Sequence, residues 1–246
     1  MQHRSKKIKK SFFIILVVLI VLSGGSAIYL SNYYHSVDVE KYMNGSWEVS
    51  VEKFDKGWFF DGAGEEKALI FYPGAKVATE AYAPLMYQLA ESGIDCFLVD
   101  MPFHMAFFGM NRAEEIMQEY NYEAWYLGGH SLGGAMAANF AADYVEDHTD
   151  GIRGLLLLAA YSTKDLSTSD MSVVTVYGSE DGVLNMDKIV AGRELMPQDY
   201  KEVCIEGGNH AQFGSYGAQK GDGTAAIPAE EQWARTVEVF VGDESE

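Results

Sequence analysis

The chain has 246 residues, of which 48% are hydrophobic and 22% are charged, a composition that suits one globular α/β domain with a short appendage. No repeat with a period of about 20 to 50 residues is visible, which argues against a solenoid. The formal net charge is −18, and such an acidic protein repels polyanions, so we exclude nucleic acid as a partner.

The N-terminal segment combines a basic head, residues 1–10, with an uncharged stretch, residues 11–30. A stretch of that length is just sufficient to span a bilayer as a helix, and the basic flank predicts that the N-terminus stays cytoplasmic. A cleavable signal peptide is the alternative, because the strictly apolar part, 12–22, is short and small residues at 25–27 suit cleavage. We therefore expect an exported protein that is either a single-pass membrane protein with its domain outside or secreted after cleavage.

Residues 31–44 are predicted to be a polar linker, and strands alternate with helices over the domain at 45–246. Short runs at 47–52 and 58–62 predict an antiparallel edge of a sheet. Continuous apolar runs are typical of buried parallel strands, and their alternation with helices predicts a mostly parallel central sheet with helices on both faces. These strands are predicted at 67–72, 94–100, 124–127, 152–160, 171–177 and 200–206, and the helices at 79–92, 111–120, 135–147, 186–196 and 229–241.

The junction at residues 129–133, Gly-His-Ser-Leu-Gly, joins a predicted strand to a helix rich in small apolar residues. Gly-x-Ser-x-Gly at such a junction is the pattern of a nucleophile elbow, in which Ser131 lies at the tip of a strained turn. The flanking glycines are required because a Cβ there would collide with a neighbouring strand or helix. The motif is weak by itself, since a glycine-rich chain contains it readily by chance.

Two further polar residues follow predicted strands, Asp181 within Gly-x-x-Asp and His210 within Gly-x-His. Because the carboxyl ends of parallel strands share one edge of a sheet, Ser131 is expected to lie near both of them. The three motifs, in the order nucleophile, acid, histidine, resemble the α/β-hydrolase superfamily, and the small size is similar to its compact esterase and dienelactone-hydrolase-like members. The resemblance covers roughly residues 47–241 and implies an α/β-hydrolase fold.

The resemblance implies a catalytic triad, with Ser131 as nucleophile, His210 as the base and Asp181 as the acid that orients the imidazole. Such a triad requires no cofactor, and we expect none. No pair of histidines or cysteines has the spacing of metal ligands, so we expect no metal either. The alternative acids are Glu180 and Asp165, and the alternative base is His104, which also follows a predicted strand.

An oxyanion hole needs two backbone amides. The amide of Leu132, directly after the nucleophile, is the first predicted donor. The second is expected in the turn after the strand at 67–72, where many superfamily members have His-Gly but this chain has Pro73, which has no amide to donate. We predict Ala75 as this donor, with Lys76 as the competitor.

The loop at 101–110 is dense in methionine and phenylalanine, which form adaptable apolar surface. This composition predicts the wall of an acyl or leaving-group pocket, although packing as core would explain it equally well. The short connection between the strands at 152–160 and 171–177 leaves no room for a large lid and predicts an open cleft, over which the loop at 214–223 is a candidate to fold. The predicted pocket residues are Phe103, His104, Met105, Phe107 and Phe108.

Both cysteines, Cys96 and Cys204, lie in predicted strands, and we expect them to be buried free thiols.

We expect an exported, membrane-tethered serine hydrolase that cleaves short-acyl carboxylic esters through an acyl-enzyme. Its substrate would be a small molecule or an ester associated with the cell envelope. A thioesterase, an amidase or an acyltransferase would use the same residues. A non-catalytic binding module on the same fold, or a structural envelope protein that uses only its anchor, remains as a different class of function.

Overall fold

The computed structural model describes residues 31–148 and 151–243 of the chain, which contain eight strands of one sheet and the helices that connect or flank them. The strands are β1 (Ser50–Phe54), β2 (Gly57–Asp61), β3 (Lys67–Tyr72), β4 (Asp95–Val99), β5 (Ala124–His130), β6 (Ile152–Leu158), β7 (Ser172–Gly178) and β8 (Tyr200–Ile205). The helices are α1 (Glu40–Met43), α2 (Ala83–Glu91), α3 (Arg112–Glu119), α4 (Leu132–Asp147), α5 (Met186–Gly192) and α6 (Ala229–Asp243).

The strand order of the sheet is β1-β2-β4-β3-β5-β6-β7-β8. β1 pairs with β2 and β2 with β4 in antiparallel fashion, and all other pairs are parallel. The predicted mostly parallel sheet with an antiparallel edge is therefore confirmed. After β3 the chain adds β4 on one side and later β5 on the other. The strand order thus reverses between β3 and β5, the position at which such sheets bind ligands.

Two hydrophobic cores lie on the two faces of the sheet, and β3 illustrates how the chain divides between them. Leu69 and Phe71 pack on the face that α2 and α6 cover, whereas Ile70 and Tyr72 pack on the face covered by α3 and α4. Successive side chains of a strand point to opposite faces, so a strand that is apolar throughout must be covered on both sides. The prediction of helices on both faces is confirmed.

The segment expected to be a linker packs on the domain from Tyr34 onward, and we call residues 34–39 the N-terminal strap. The amide of Tyr34 donates to the carbonyl of Lys76 at 2.7 Å, and the amide of Ala78 donates to the carbonyl of Tyr34 at 2.8 Å. Further along, the amide of Val37 donates to the carbonyl of Ser215, whose hydroxyl donates back to Val37. The strap therefore contacts two loops at the carboxyl edge of the sheet.

One expectation about the cysteines is wrong. Cys96 is a buried free thiol in β4, but Cys204 is exposed. β8 is the outermost strand of the sheet, so its side chains pack against fewer neighbours than those of a central strand.

No helix among the described residues is both long and apolar enough to cross a membrane. The predicted basic head and the predicted anchor, residues 1–30, lie outside the described part of the chain.

Candidate active site

The turn between β5 and α4 places Ser131 at the carboxyl edge of the sheet. Ser131 has φ 53° and ψ −123°, a backbone conformation that is strained for any residue with a side chain. Its amide donates to the carbonyl of Leu158 in the neighbouring strand at 2.9 Å. A Cβ on Gly133 would overlap the carbonyl oxygen of Tyr72, and one on Gly129 would lie 2.6 Å from the carbonyl carbon of Gly133. Only glycine therefore permits this close approach of turn, strand and helix.

The second and third polar residues form a buried hydrogen-bonded pair. The Nδ1 atom of His210 lies 2.8 Å from the Oδ2 atom of Asp181, and each side chain is 2% exposed. Because a carboxylate only accepts hydrogen bonds, Nδ1 donates, which leaves Nε2 free to accept a proton. The Oδ1 atom of Asp181 accepts from the amides of Val183 at 2.8 Å and Leu184 at 2.7 Å. Both carboxylate oxygens are thus engaged, and the imidazole is fixed in one tautomer.

His210 and Ser131 both line a cavity of about 240 Å³. The Nε2 atom of His210 forms no hydrogen bond with any described residue. Catalytic hydrogen bonds are often long or absent without substrate and tighten only when it binds. No carboxylate, lysine or arginine of the described residues lines the cavity, which suits an uncharged group. The lining residues are Ser131, Leu132, Ala135, Ala159, Ala160, Tyr161, Val183, Leu184, Asn185 and His210.

The turn after β3 faces the elbow, and two of its amides are engaged. The amide of Gly74 donates to a buried tyrosine hydroxyl at 3.0 Å, and that of Lys76 donates to the carbonyl of His104 at 2.7 Å. The amides of Ala75 and Leu132 donate to no residue that the structure describes. This arrangement favours Ala75 over Lys76 as the second oxyanion donor.

The tyrosine that holds this turn is Tyr82, which also contacts the elbow. Its hydroxyl lies 2.7 Å from the Nδ1 atom of His130, and both side chains are buried. The ring of His130 packs on that of His210, with 4.4 Å between their centroids. Burial, followed by repulsion from the neighbouring His210, lowers the pKa of His130 well below its ordinary value.

Asp222, in the loop at 214–223, joins the loop of the histidine to that of the acid. Its Oδ2 atom accepts from the amide of Ala211 at 2.8 Å. Its Oδ1 atom accepts from the amides of His210 at 3.3 Å and Gly182 at 3.1 Å. Sequence reasoning missed Asp222, because no local pattern distinguishes it from a solvent-exposed loop aspartate. The loop itself does not line the cavity beside Ser131.

The predicted pocket residues lie elsewhere. β3 separates β4 from β5, and the loop after β4 does not extend to the cavity beside Ser131. Three of its phenylalanines are 59%, 67% and 55% exposed, and two of them line a separate depression of about 280 Å³. The expected positions that do not line the cavity beside Ser131 are Phe103, His104, Met105, Phe107 and Phe108.

The alternative acids do not bond to His210. The carboxylate of Asp165 accepts from the amide of Ser167, and that of Glu180 accepts from the hydroxyl of Ser179.

Among the described residues, no group of three or more histidines, cysteines and acids is arranged to hold a metal ion. The connection at 159–171, all of it described, contains neither a helix nor a strand that would form a lid.

The chain is similar to known hydrolases in its sequence pattern and in its fold. Residues 68–234 match the model of the alpha/beta hydrolase family, whereas no curated protein matches by sequence. Est1E from Butyrivibrio proteoclasticus superposes with a TM-score of 0.56 at 15% identity, over 81% of this chain and 100% of that one. Carboxyl esterase 2 from the fungus Tuber melanosporum gives 0.59 at 12% identity, over 85% and 89%. Carboxylesterase CesB from Bacillus subtilis gives 0.54 at 7% identity, over 83% and 96%. At these identities the likeness shows the fold alone.

Proposed function

The chain belongs to the alpha/beta hydrolase family, and we propose that it is a serine hydrolase that cleaves short-acyl carboxylic esters through an acyl-enzyme. One observation carries the proposal: Ser131 and His210 line one cavity, and Asp181 holds the imidazole with Nε2 available as a base. A serine hydroxyl is a poor nucleophile at neutral pH and requires such a base.

In the first half of the reaction, Nε2 of His210 accepts the hydroxyl proton while Oγ of Ser131 attacks the ester carbonyl. Asp181 stabilises the resulting imidazolium through its bond to Nδ1. The tetrahedral intermediate collapses, its C–O bond to the leaving alkoxide breaks, and His210 returns the proton to that alkoxide. Water, activated by the same imidazole, then attacks the acyl-serine and releases the carboxylic acid.

The negative charge on the intermediate's oxygen requires donors that are already in place. We assign the amides of Leu132 and Ala75 to this role, because each is without a partner among the described residues while the neighbouring amides of the turn after β3 are engaged. The loss of one such donor costs about 3 kcal/mol of transition-state stabilisation.

The cavity supports a small, uncharged acyl group. Its volume of about 240 Å³ is below the range of roughly 300 to 1,000 Å³ in which drug-sized ligands bind. Three alanines and the side chains of Val183 and Leu184 make its wall mostly apolar. Two of the structural neighbours named above, from Tuber melanosporum and Bacillus subtilis, are esterases by their own names, which agrees with an ester substrate.

Turnover and active-site labelling test the enzyme class. We expect the full-length protein in detergent to react with a fluorophosphonate probe and to hydrolyse p-nitrophenyl acetate and butyrate, with rates that fall as the acyl chain lengthens. Ser131→Ala should lose labelling and lower kcat by about 10⁶-fold, whereas the exposed Ser167→Ala should match the wild type. A folded wild-type protein that neither labels nor turns over any ester would instead be a binding module.

Matched thioester and anilide substrates separate the other candidate activities. An esterase should prefer the oxygen ester of a given acyl group in kcat/KM. A preference for the acetyl thioester or anilide would assign the same triad to a thioesterase or an amidase, and transfer of the acetyl group to an added alcohol in place of water would indicate an acyltransferase.

We also propose that residues 11–30 tether the domain outside the cell membrane, on the basis of the uncharged stretch behind a basic head. The protein should fractionate with membranes and be digested by protease added to intact cells, and deletion of residues 1–30 should abolish both results. Recovery of a shortened protein in the medium would favour cleavage and secretion.

A further inference from the structure

We propose that Tyr82 and His130 are positioning residues. They fix the turn after β3 at residues 73–76, which we call the oxyanion turn, relative to the base His210. This inference rests on the proposed function, because it concerns how the same site is kept in its reactive geometry. It assigns roles to two buried residues that take no part in bond making or breaking.

The directions of the hydrogen bonds define the pair. The amide of Gly74 donates to the hydroxyl oxygen of Tyr82 at 3.0 Å, so that oxygen acts as an acceptor. The single phenolic proton is then directed to the Nδ1 atom of His130, 2.7 Å away. In this arrangement His130 is unprotonated at Nδ1 and carries its proton on Nε2, a buried atom without a hydrogen-bond partner among the described residues. The opposite arrangement is less favourable, because it leaves two buried groups unsatisfied: the phenolic proton lacks an acceptor and Nε2 of His130 lacks a donor.

The backbone of the oxyanion turn rests directly on this pair. A Cβ built on Gly74 would lie 2.8 Å from the hydroxyl of Tyr82 and 2.8 Å from Nδ1 of His130. The position of Gly74 fixes that of the next amide, at Ala75, which we assign to the oxyanion hole. A displacement of about 1 Å at a catalytic group costs roughly 100-fold in rate.

The other side of the pair supports the base. The ring of His130 packs on that of His210 at 4.4 Å and 53°, and on Phe213 at 5.7 Å. A charged imidazole at this distance would oppose the imidazolium that forms on His210 during the reaction. The bond from Tyr82 and the burial of both side chains keep His130 neutral, so the base has a rigid but uncharged support.

Removal of one hydroxyl group tests the pair in the full-length protein in detergent. Tyr82→Phe keeps the ring but removes the phenolic oxygen, and we expect kcat for p-nitrophenyl acetate to fall roughly 10- to 100-fold with little change in KM. The affinity for a methyl trifluoromethyl ketone should fall by a similar factor, because its adduct with Ser131 carries the oxyanion. Tyr216→Phe removes a hydroxyl in the same aromatic cluster, bonded only to Gln219 at 3.0 Å among the described residues, and should behave as the wild type.

Two substitutions of His130 provide the rescue test. Asn keeps an acceptor oxygen near the position of Nδ1, whereas Ala removes the acceptor and the packing. His130→Asn should therefore retain most of the kcat that His130→Ala loses. This pair also decides the question if Tyr82→Phe does not fold.

The contrary outcomes are distinct. An active wild type whose kcat survives Tyr82→Phe, or whose two His130 variants lose activity equally, would overturn this inference and leave the proposed function intact. Nitrogen NMR that places the proton of His130 on Nδ1 would overturn it without reference to activity. A wild type without turnover would overturn the proposed function itself.

Discussion

Two walls at the carboxyl edge of the sheet differ in how they relate to Ser131. The first, residues 159–161 and 183–185, follows β6 and β7 and lines the cavity. The second, the loop at 102–110 after β4, is far richer in aromatic residues, yet its phenylalanines point into solvent or line a separate depression. Composition alone would predict that the second wall, not the first, lines the pocket beside Ser131.

Strand order explains part of the difference. β6 pairs directly with β5, so Leu157 lies opposite Gly129 and Leu158 opposite His130, and whatever follows β6 emerges beside the nucleophile. β4 pairs with β3 and β2 but not with β5. β7, like β4, lies one strand away from β5, yet the residues after β7 line the cavity, so the course of a loop matters as well as its strand. The composition of a loop indicates which ligands it would suit, but not whether it reaches the nucleophile.

Within this comparison, the largest effect is expected at Asp181, which comes just before the wall residues 183–185 in the chain. Asp181→Asn should lower kcat by about 10⁴-fold, because the amide no longer fixes the tautomer of His210 or stabilises its charge. Asp165→Asn, at the exposed alternative acid, should leave kcat unchanged. Steady-state kinetics on an activated acetyl ester measures both. A reversed result would move the acid into the β6–β7 connection.

A smaller effect is expected at Asp222, which bonds to the loop that carries Asp181 and to the loop that carries His210. Asp222→Ala removes acceptors for the amides of His210, Ala211 and Gly182, so we expect kcat to fall roughly tenfold and the free energy of unfolding to drop by about 2 kcal/mol. Urea denaturation and kinetics measure the two quantities. Asp170→Ala, at an exposed loop aspartate, is the control, and equal behaviour of the two variants would contradict the role of Asp222.

The third prediction compares the walls directly. Val183→Trp should fill part of the cavity and lower kcat/KM for a butyryl ester roughly tenfold more than for an acetyl ester. Phe107→Ala, on the loop after β4, should leave the ratio of the two esters unchanged. Selectivity that responds to Phe107 and not to Val183 would show that the aromatic loop binds the acyl group after all.

The smallest effect is expected for stability of the aromatic loop. Phe107→Ser and Phe108→Ser should each change the free energy of unfolding by no more than about 0.5 kcal/mol, because both side chains are exposed. Phe97→Ala in β4, by contrast, should cost about 3–5 kcal/mol, since that ring is buried and stacks on Phe59 at 4.5 Å. Thermal or urea unfolding of the three variants measures this difference.

The sequence predicts those features of the structure that depend on local patterns, and it does not predict contacts between residues far apart along the chain. Ser131, Asp181 and His210 each come directly after a strand, so local patterns together with one rule about parallel sheets place them at one edge. Tyr82 meets His130 across 48 positions of the chain, and Asp222 meets Gly182 across 40. No local pattern marks such contacts, and the order in which strands pair decides them.

Element boundaries show the same limit on a smaller scale. The predicted helices at 79–92 and 186–196 exist, but short 3₁₀ turns at Thr79–Tyr82 and Arg193–Leu195 occupy part of each. The first strand starts at Ser50 rather than at Trp47, whose side chain is exposed. An alternating pattern identifies a strand, but its pairing with β2 determines where it begins.

The N-terminal strap has a practical consequence for recombinant work. A soluble version that starts at residue 45 would lack the backbone bonds from Tyr34 to Lys76 and Ala78, as well as those between Val37 and Ser215. Those bonds lie next to the oxyanion turn and the loop after the histidine. A fragment trimmed to the family match, 68–234, would in addition cut into β3 and α6. Expression boundaries should therefore begin before Tyr34, and low activity of a shorter fragment would report on the truncation rather than on the enzyme.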